Sequence, residues 1–550
     1  MDKTGDKLIS QQTSIFNIHR LFAFRRPALI ILSPLFLSPL LFHSDLVTAL
    51  FPLLLFPLLG ILTAKEVARE FMNDTVFLFI GGLIVATAVE RCGLHLRVAL
   101  RVLSLVGSQP KRIMLGFMTV TAVLSMFISN TATTAMMLPI CQSVINLLEK
   151  NNTFKSRGPG DSEKCLIKFV IMYFQFNILT EMNKYKKTQH LIIKKYLSNV
   201  AFSANIGGVG TPTGTPPNLV LIGILPVLFP GVETGLNYFS WIILTIPLMI
   251  FCLYLCWILL SIIFLRNGPK IDENIGIMLN KQNQELPPIS YDQKCVALCF
   301  ILLLFLWIFR RPGFMPGIAD LLPESSINDS TSAIFVAILL FILPSENPLN
   351  SMNNIFNNKE SKYLMDWETM QKQFPWSVVL LLGGGFAMAA GVRESELSNL
   401  IAQILSKLDH LPIWILQLIS ILVTMIVTNI CSNTVTASIF IPIFSTMAQK
   451  VGIHPIGLML PATLACSFAF ILPVGTASNA IAFSSRLISV SDMMISGMAM
   501  SLVTAISMII YLTTFVPYIL PINDFPEWAT FVNYSNNGEI NDNNFLTKLH

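Results

Sequence analysis

Two Ser-Asn-Thr triplets lie within long apolar stretches of the chain. The first is Ser129-Asn130-Thr131 in SMFISNTATTAMMLPI, and the second is Ser432-Asn433-Thr434 in TNICSNTVTASIFIPI. A small polar cluster at membrane depth is costly unless it holds a partner, because hydrocarbon offers it no hydrogen bonds. Two copies therefore predict one bound solute that is gripped from two sides.

A turn rich in Gly or small polar residues follows each triplet. The first is ANIGGVGTPTGTPPNLVLIG at 204–223, and ILPVGTASNAIAF at 471–483 repeats it more weakly. Gly and Pro interrupt helices, which frees backbone carbonyls and exposes N–H groups. A bilayer accepts such backbone only where it lines a cavity or is buried in protein. Carbonyl and side-chain oxygens suit a hard monovalent cation, whereas helix N-termini suit an anion.

The stretches that carry these motifs have no charged side chain. Lys, Arg, Asp and Glu do not occur in 113–148, 200–232 or 411–449. The site must therefore hold charge with neutral dipoles. A multivalent anion then needs co-bound cations, which is a physical reason for coupling to Na⁺.

The elements that position these motifs are predicted to be membrane helices. The chain has 550 residues, of which 53% are hydrophobic and 12% are charged, against about 25% charged residues in soluble domains. Its mean hydropathy is +0.65, and apolar runs near the spanning length of about 20 residues recur along it. This predicts an all-α polytopic membrane protein. Nucleic acid is not a predicted partner, because the basic residues edge the apolar runs and form no compact patch.

The landmarks repeat along the chain. Ser432 follows Ser129 by 303 positions (432 minus 129), and the same offset relates Gly81-Gly82 to Gly384-Gly385. Gly475-Thr476 follows Gly214-Thr215 by only 261 positions (475 minus 214), so the first half carries extra residues between its triplet and its turn. We interpret these as a cytoplasmic loop insert and predict two inverted repeats.

Charge placement orients the predicted segments, since Lys and Arg favour the cytoplasmic side. The segments follow in chain order. They are a cytoplasmic N-terminus at 1–26, first-repeat spans at 27–149, a cytoplasmic loop insert at 150–197, a broken helix and following span at 198–265, a cytoplasmic loop at 266–292, spans and loops at 293–375, the second repeat with its broken helix at 376–520, and an extracellular tail at 521–550.

Four glycosylation sequons occur in the chain, and only those outside the cell can carry glycans. The segment assignments place Asn73 and Asn151 inside and Asn328 and Asn533 outside. Asn533 and Asn328 are therefore the predicted glycosylation sites.

The motifs together resemble those of a known family. SNTATTAMMLPI, IGGVGTPTGTPPNLVL, PWSVVLLLGGGFAMA and SFAFILPVGTASNAI look like the divalent anion/sodium symporters of the solute carrier 13 type, on the di- and tricarboxylate branch. The resemblance implies eleven transmembrane helices, two re-entrant hairpins with the triplets at their tips, and two broken helices. It also implies a homodimer with scaffold and transport domains that works by elevator-type alternating access. The resemblance places the first hairpin in 27–149, the scaffold spans in 293–375 and the second hairpin in 376–520.

The resemblance also implies ligands at matching positions. Substrate carboxylates are expected at Asn130, Thr131, Asn433, Thr434 and Thr476. The first sodium site is expected at Ser125, Ser129, Asn130, Thr213 and Gly214, and the second at Thr428, Cys431, Ser432, Asn433 and Gly475. Sodium is the only metal implied, with no cofactor.

Two departures from the family pattern concern the second site. Ala477-Ser478 stands where relatives usually have Pro-Pro, and Asn429 stands where carboxylate carriers often have Glu. The loss of both prolines predicts a looser helix break. Both changes affect the expected substrate range and sodium affinity more than the fold.

The sequence leaves three functions in competition. The predicted one is sodium-coupled symport of succinate, citrate or similar carboxylates across the plasma membrane. Ala132 favours carboxylates, because sulfate carriers tend to have Ser after the first triplet. Sulfate symport is the alternative, and a passive anion channel is a weaker one. An enzyme is not predicted, since no nucleophile–base set or phosphate loop is present.

Overall fold

The computed structural model is helical throughout most of the residues that it describes. It describes residues 45–106, 110–141, 198–265, 284, 286–310, 316–321, 327–346, 363–395, 411–484, 488–520, 522 and 524–529, apart from 231, 233 and 474. The predicted N-terminal segment 1–26, the loop insert 150–197, and the sequons at Asn151 and Asn533 lie outside these residues, as does most of the loop at 266–292.

The helices follow the apolar runs of the sequence. In chain order they are α1 Asp45–Leu58, α2 Ala64–Phe71, α3 Asp74–Arg91, α4 Leu94–Val106, α5 Pro110–Ser125, α6 at 130–141, α7 at 198–208, α8 Pro216–Leu228, α9 Tyr238–Leu265, α10 Tyr291–Ile308, α11 Asp329–Ile342, α12 Trp367–Gln373, α13 Trp376–Glu394, α14 Ile413–Thr428, α15 Asn433–Val451, α16 Pro455–Cys466, α17 Ala477–Ser484 and α18 Val490–Thr514.

Five helical segments of the described chain are long and apolar enough to cross a membrane. They are Ala64–Arg91, Tyr238–Ile262, Tyr291–Ile308, Trp376–Glu394 and Val490–Tyr518, and several shorter apolar helices accompany them. Shorter helices can cross in pairs where an unwound segment joins them. The count of eleven transmembrane helices stays a prediction, because some of the apolar runs lie outside the described residues.

Both triplets lie at turns between two helices. In the first, α5 ends at Ser125 and α6 begins at residue 130. In the second, α14 ends at Thr428 and α15 begins at Asn433. Each triplet therefore occupies the tip of a helix–turn–helix unit, here called the first and the second hairpin.

Both broken helices are present at equivalent residues. An unwound segment at 209–215 separates α7 from α8, and unwound residues at 467–473 and 475–476 separate α16 from α17. The helices after the breaks begin at Pro216 and Ala477, which are 261 positions apart, as the two Gly-Thr pairs are.

The repeated glycines allow helices to pack closely. A Cβ at Gly81 of α3 would lie 2.6 Å from Ala333 Cβ of α11, and one at Gly384 of α13 would lie 2.5 Å from the carbonyl oxygen of Ala49 in α1. Any larger residue would force these helices apart. The two landmarks therefore serve helix–helix contact.

Helices α3 and α11 run parallel, which corrects the predicted sides of two sequons. Ser330 Oγ at the start of α11 donates a hydrogen bond to Asp74 Oδ1 at the start of α3. At the other end, Arg91 of α3 donates to the Leu364 carbonyl at 3.2 Å, and the Leu364 N–H donates to the Leu343 carbonyl just after α11.

Asn73 and Asn328 precede these two helices directly, so they lie on the same side of the membrane. The prediction that they lie on opposite sides was wrong. Charge placement assigned the side of each loop separately, whereas the packing of α3 against α11 ties the two sides together.

Candidate functional site

One cavity of about 400 Å³ lies between the two hairpin tips and the two helix breaks. Eleven of the thirteen predicted ligand residues line it, and two do not. The lining residues are Ser129, Asn130, Thr131, Thr213, Gly214, Cys431, Ser432, Asn433, Thr434, Gly475 and Thr476. The fold thus brings the two triplets and both turns together around one space, although they are far apart in the sequence.

The two remaining residues, Ser125 and Thr428, are fully buried behind the tips. Ser125 Oγ donates to Asn130 Oδ1 at 2.6 Å and lies 2.8 Å from the Ala204 carbonyl oxygen. Thr428 Oγ1 repeats both contacts, to Asn433 Oδ1 at 2.7 Å and to the Cys466 carbonyl oxygen at 2.8 Å. Each hydroxyl therefore ties the Asn of its triplet to the adjacent broken helix.

Backbone carbonyls converge on the glycine of each turn. A Cβ at Gly214 would lie 2.4 Å from the Gly208 carbonyl oxygen and 3.1 Å from that of Met126. A Cβ at Gly475 would lie 3.2 Å from the Leu472 carbonyl oxygen and 3.3 Å from that of Asn429. Together with Asn130 and Asn433, these oxygens form two related sets of hard donors, which suit Na⁺.

An asparagine in each second helix holds the unwound segment in place. Asn218 Nδ2 donates to the carbonyls of Gly208 at 3.1 Å and Thr211 at 2.8 Å. Asn479 Nδ2 donates to the carbonyls of Ala469 at 2.8 Å and Leu472 at 3.1 Å. These bonds satisfy carbonyls that the helix break frees.

Helix α9 satisfies further carbonyls of the first break. Trp241 Nε1 donates to the Val209 carbonyl at 3.1 Å, and Thr245 Oγ1 donates to the Gly210 carbonyl at 3.1 Å. Both donors are buried. The irregular backbone is therefore held from outside the cavity.

The helix after the second break has no prolines at its start and is capped by a side chain instead. Thr215 precedes α8, makes no capping hydrogen bond, and is followed by Pro216-Pro217. Thr476 precedes α17, and its Oγ1 accepts a hydrogen bond from the Asn479 N–H at 3.2 Å. This is an N-cap contact, so the predicted loosening does not displace the start of the helix.

The cavity has no charged side chain among its described lining residues. Four helices begin at it, namely α6 at Asn130, α15 at Asn433, α8 at Pro216 and α17 at Ala477. Each helix N-terminus carries roughly half a positive charge from its aligned peptide dipoles. The arrangement favours a multivalent anion.

Two predicted sodium ligands have a different local role. Ser129 Oγ accepts a hydrogen bond from the Ala132 N–H at 3.2 Å, so it caps the start of α6. Cys431 lines the cavity, but a thiol is a soft ligand and a poor partner for Na⁺. The carbonyls near Cys431 are better donors than its side chain.

Several lining residues were not singled out from the sequence. Asn205 lies within the first quoted turn, so its polarity was a usable signal. Phe79 and Phe127 lie among many other apolar residues, and nothing local marked them. The remaining apolar wall is formed by Leu83, Pro375, Val378, Leu381 and Ile430.

The chain is similar in sequence to one family of membrane transporters. The profile of the sodium:sulfate symporter transmembrane region matches residues 37–521. A Caenorhabditis elegans sodium-dependent high-affinity dicarboxylate transporter 3 is 51% identical over 88% of this chain and 82% of its own length. The mouse Na⁺/citrate cotransporter is 41% identical over 88% and 89%, and human solute carrier family 13 member 2 is 38% identical over 88% and 87%.

A solved structure shares the fold. The Neisseria gonorrhoeae protein MtrF, from a class of antimetabolite efflux pumps, superposes with a TM-score of 0.52 at 13% identity, over 86% of this chain and 85% of its own. At this identity the likeness concerns architecture only. With the apolar helices described above, it confirms the prediction of an all-α polytopic membrane protein.

Proposed function

Since this chain belongs to the sodium:sulfate symporter family, the divalent anion/sodium symporters, we propose that it moves di- and tricarboxylates across a membrane together with Na⁺. It is a multi-pass membrane transporter and not an enzyme. The coupling ion is Na⁺, and no organic cofactor is part of the proposal.

One observation carries this proposal. The cavity faces four helix N-termini, has no charged side chain among its described lining residues, and is flanked by two sets of carbonyl and amide oxygens at Gly214 and Gly475. Neutral dipoles attract an anion, but they do not neutralise it as a Lys or Arg would. Sodium ions beside the anion supply the missing charge, so the two solutes bind best together and are transported together.

The proposed substrates are carboxylates such as succinate and citrate. The named relatives carry dicarboxylates or citrate, and Asn130, Thr131, Asn433, Thr434 and Thr476 offer amide and hydroxyl donors around the cavity. Two groups of donors from opposite hairpins fit two separated carboxylates of one molecule. Sulfate presents one compact group and remains the competing substrate because the family profile carries its name.

We extend the proposal to location, assembly and movement on the strength of the family resemblance. The carrier is placed in the plasma membrane as a homodimer, with the N-terminus in the cytoplasm. The hairpins and broken helices belong to a transport domain that moves against a scaffold in an elevator movement. Hydrogen bonds from Ser125 to the Ala204 carbonyl and from Thr428 to the Cys466 carbonyl support this movement. They connect each hairpin to its broken helix, so the elements that hold the ligands can move as one unit.

Uptake of radiolabelled succinate and citrate into cells that express the chain tests the proposal. Uptake is expected in sodium and not in choline, and it is expected to be lost in Asn130→Ala and Asn433→Ala. Asn199→Ala is the matched control, because Asn199 is buried but does not line the cavity. Carboxylate uptake that is indifferent to sodium would sink the proposal, and sodium-dependent sulfate uptake alone would reassign the substrate.

A further inference from the structure

Asn205 of the first repeat contacts Thr476 of the second repeat inside the cavity wall. Both residues line the cavity. Asn205 Nδ2 donates a hydrogen bond to Thr476 Oγ1 at 3.2 Å and lies 3.4 Å from Asn479 Oδ1. Only 1% of the Asn205 surface is exposed. This is a direct polar link between α7, the helix before the first break, and the second break.

The hydrogen-bond network fixes which way the Asn205 amide faces. Asn479 Nδ2 donates to two backbone carbonyls, so Asn479 Oδ1 is the atom that faces Asn205. An amide turned the other way would set the Asn205 oxygen against that oxygen. Asn205 therefore presents its NH₂ group to both Thr476 and Asn479.

This orientation constrains the hydroxyl proton of Thr476. A hydroxyl has two acceptor positions and one proton. Thr476 Oγ1 accepts from Asn205 Nδ2 and from the Asn479 N–H, both at 3.2 Å. With both acceptor positions in use, the hydroxyl can act only as a donor toward any further partner, and the cavity is the open space in front of it.

We propose that Asn205 is a positioning residue for substrate recognition, which orients the Thr476 hydroxyl proton toward a carboxylate of the bound anion. This inference rests on the proposed function, and it adds a residue that acts through Thr476. Without the Asn205 NH₂ group, the Thr476 proton can rotate, and Asn479 Oδ1 becomes a competing acceptor for it.

A packing role does not explain the placement of Asn205. Its Oδ1 is buried and has no hydrogen-bond partner among the described residues, which costs free energy in the folded state. A side chain kept for packing alone would be better replaced by an apolar one of similar size. The first repeat also lacks the arrangement, since Thr215 is followed by two prolines and makes no capping bond.

The test is a double-mutant cycle on succinate uptake at saturating sodium. Asn205→Leu is expected to raise the succinate KM about tenfold or more, because a hydrogen bond to a charged group is lost. In the Thr476→Val background, Asn205→Leu is expected to change KM by less than about twofold. An equal effect in both backgrounds would overturn the inference, since it would show that Asn205 does not act through Thr476.

A second readout decides the question if Thr476→Val has no measurable uptake. At succinate concentrations well above the KM of each variant, Asn205→Leu is expected to leave the sodium concentration for half-maximal uptake within about twofold of the wild type. A general distortion of the cavity would raise both the succinate KM and the sodium concentration for half-maximal uptake, and that result would also overturn the inference. Asn199→Leu, on the same helix but away from the cavity, is the matched control.

The outcome also separates this inference from the proposed function. A wild-type chain that shows no sodium-dependent carboxylate uptake would refute the function itself. A wild-type chain that transports succinate, with an Asn205→Leu variant of unchanged KM, would refute only the role of Asn205.

Discussion

Asn429 Oδ1 accepts a hydrogen bond from the Ile471 backbone N–H at 2.9 Å, and this bond ties the tip of the second hairpin to the unwound segment beside it. The first repeat makes the corresponding link in the opposite sense, because Thr211 Oγ1 of the unwound segment donates to the Met126 carbonyl at the hairpin tip. The same clamp is thus built from different partners in the two halves. Asn429, which departs from the family pattern, has a structural task.

Asn429→Asp is expected to raise the sodium concentration for half-maximal uptake several-fold. The carboxylate still accepts from Ile471, but it loses the Nδ2 donor that now bonds to the Met425 carbonyl at 2.6 Å. Two oxygens then face each other in a buried place, at a cost of about 1–3 kcal/mol. Sodium activation curves measure the change, and a wild-type curve for this variant would contradict the assigned role.

Thr428→Val and Ser125→Ala are each expected to raise the sodium concentration for half-maximal uptake about tenfold, while the protein still reaches the cell surface. Each change removes the hydroxyl that orients the triplet Asn, a contribution of about 1 kcal/mol or more. Thr428→Ser keeps the hydroxyl and serves as the matched control. The idea fails if Thr428→Ser and Thr428→Val have the same sodium dependence.

Gly214→Ala is expected to be more damaging than Gly475→Ala. The new methyl at 214 would lie 2.4 Å from a backbone carbonyl oxygen, whereas the one at 475 has no neighbour closer than 3.2 Å. Overpacking against backbone costs about 1–3 kcal/mol, and here it also displaces oxygens of the first sodium site. Uptake at saturating sodium and succinate is measured for both variants. Equal losses of uptake would contradict the prediction that Gly214 is more closely surrounded by backbone than Gly475.

His454 is expected to make the carrier less stable in acid. Burial lowers the pKa of this loop residue to about 4, against about 6.5 in an unfolded chain. Between these values the unfolded state binds more protons, so stability falls as the pH drops from about 6.5 toward 4, by at most about 3 kcal/mol.

Thermal unfolding of the purified protein at pH 7.5 and pH 5 measures the His454 effect. His454→Asn is the comparison variant. Asn does not titrate, and its side-chain oxygen can accept the hydrogen bond that the Ile456 N–H now donates to His454 Nδ1. A pH dependence that is the same in this variant would assign the acid sensitivity to other groups.

The variants Met72→Cys and Asn328→Cys are expected to react with a membrane-impermeant maleimide from the same side of the membrane. Met72 is 55% exposed and adjoins the start of α3, and Asn328 adjoins the start of the parallel helix α11. Tyr363→Cys, at 44% exposure, lies at the other end of this pair and is expected to react from the opposite side. Labelling of the first two from opposite sides would contradict the parallel packing.

The sequence by itself determined the main elements of the site. The two triplets, the turns with Gly214 and Gly475, and the absence of charge around them are local features. Local features suffice because Gly and Pro break helices wherever they stand and because uncharged polar groups in an apolar run need partners. The predicted all-α membrane fold follows from the same patterns, whereas the individual ligand residues were predicted from the family resemblance.

Only the tertiary structure decided the contacts between distant residues. The bond from Asn205 to Thr476 joins positions 271 residues apart, and the parallel packing of α3 and α11 sets the common side of Asn73 and Asn328. Neither relationship leaves a local trace, because an Asn in a helix or a sequon at its start looks the same whatever packs against it. The N-cap by Thr476 also escaped prediction, since a hydroxyl can replace two prolines only when the backbone brings the Asn479 N–H within reach.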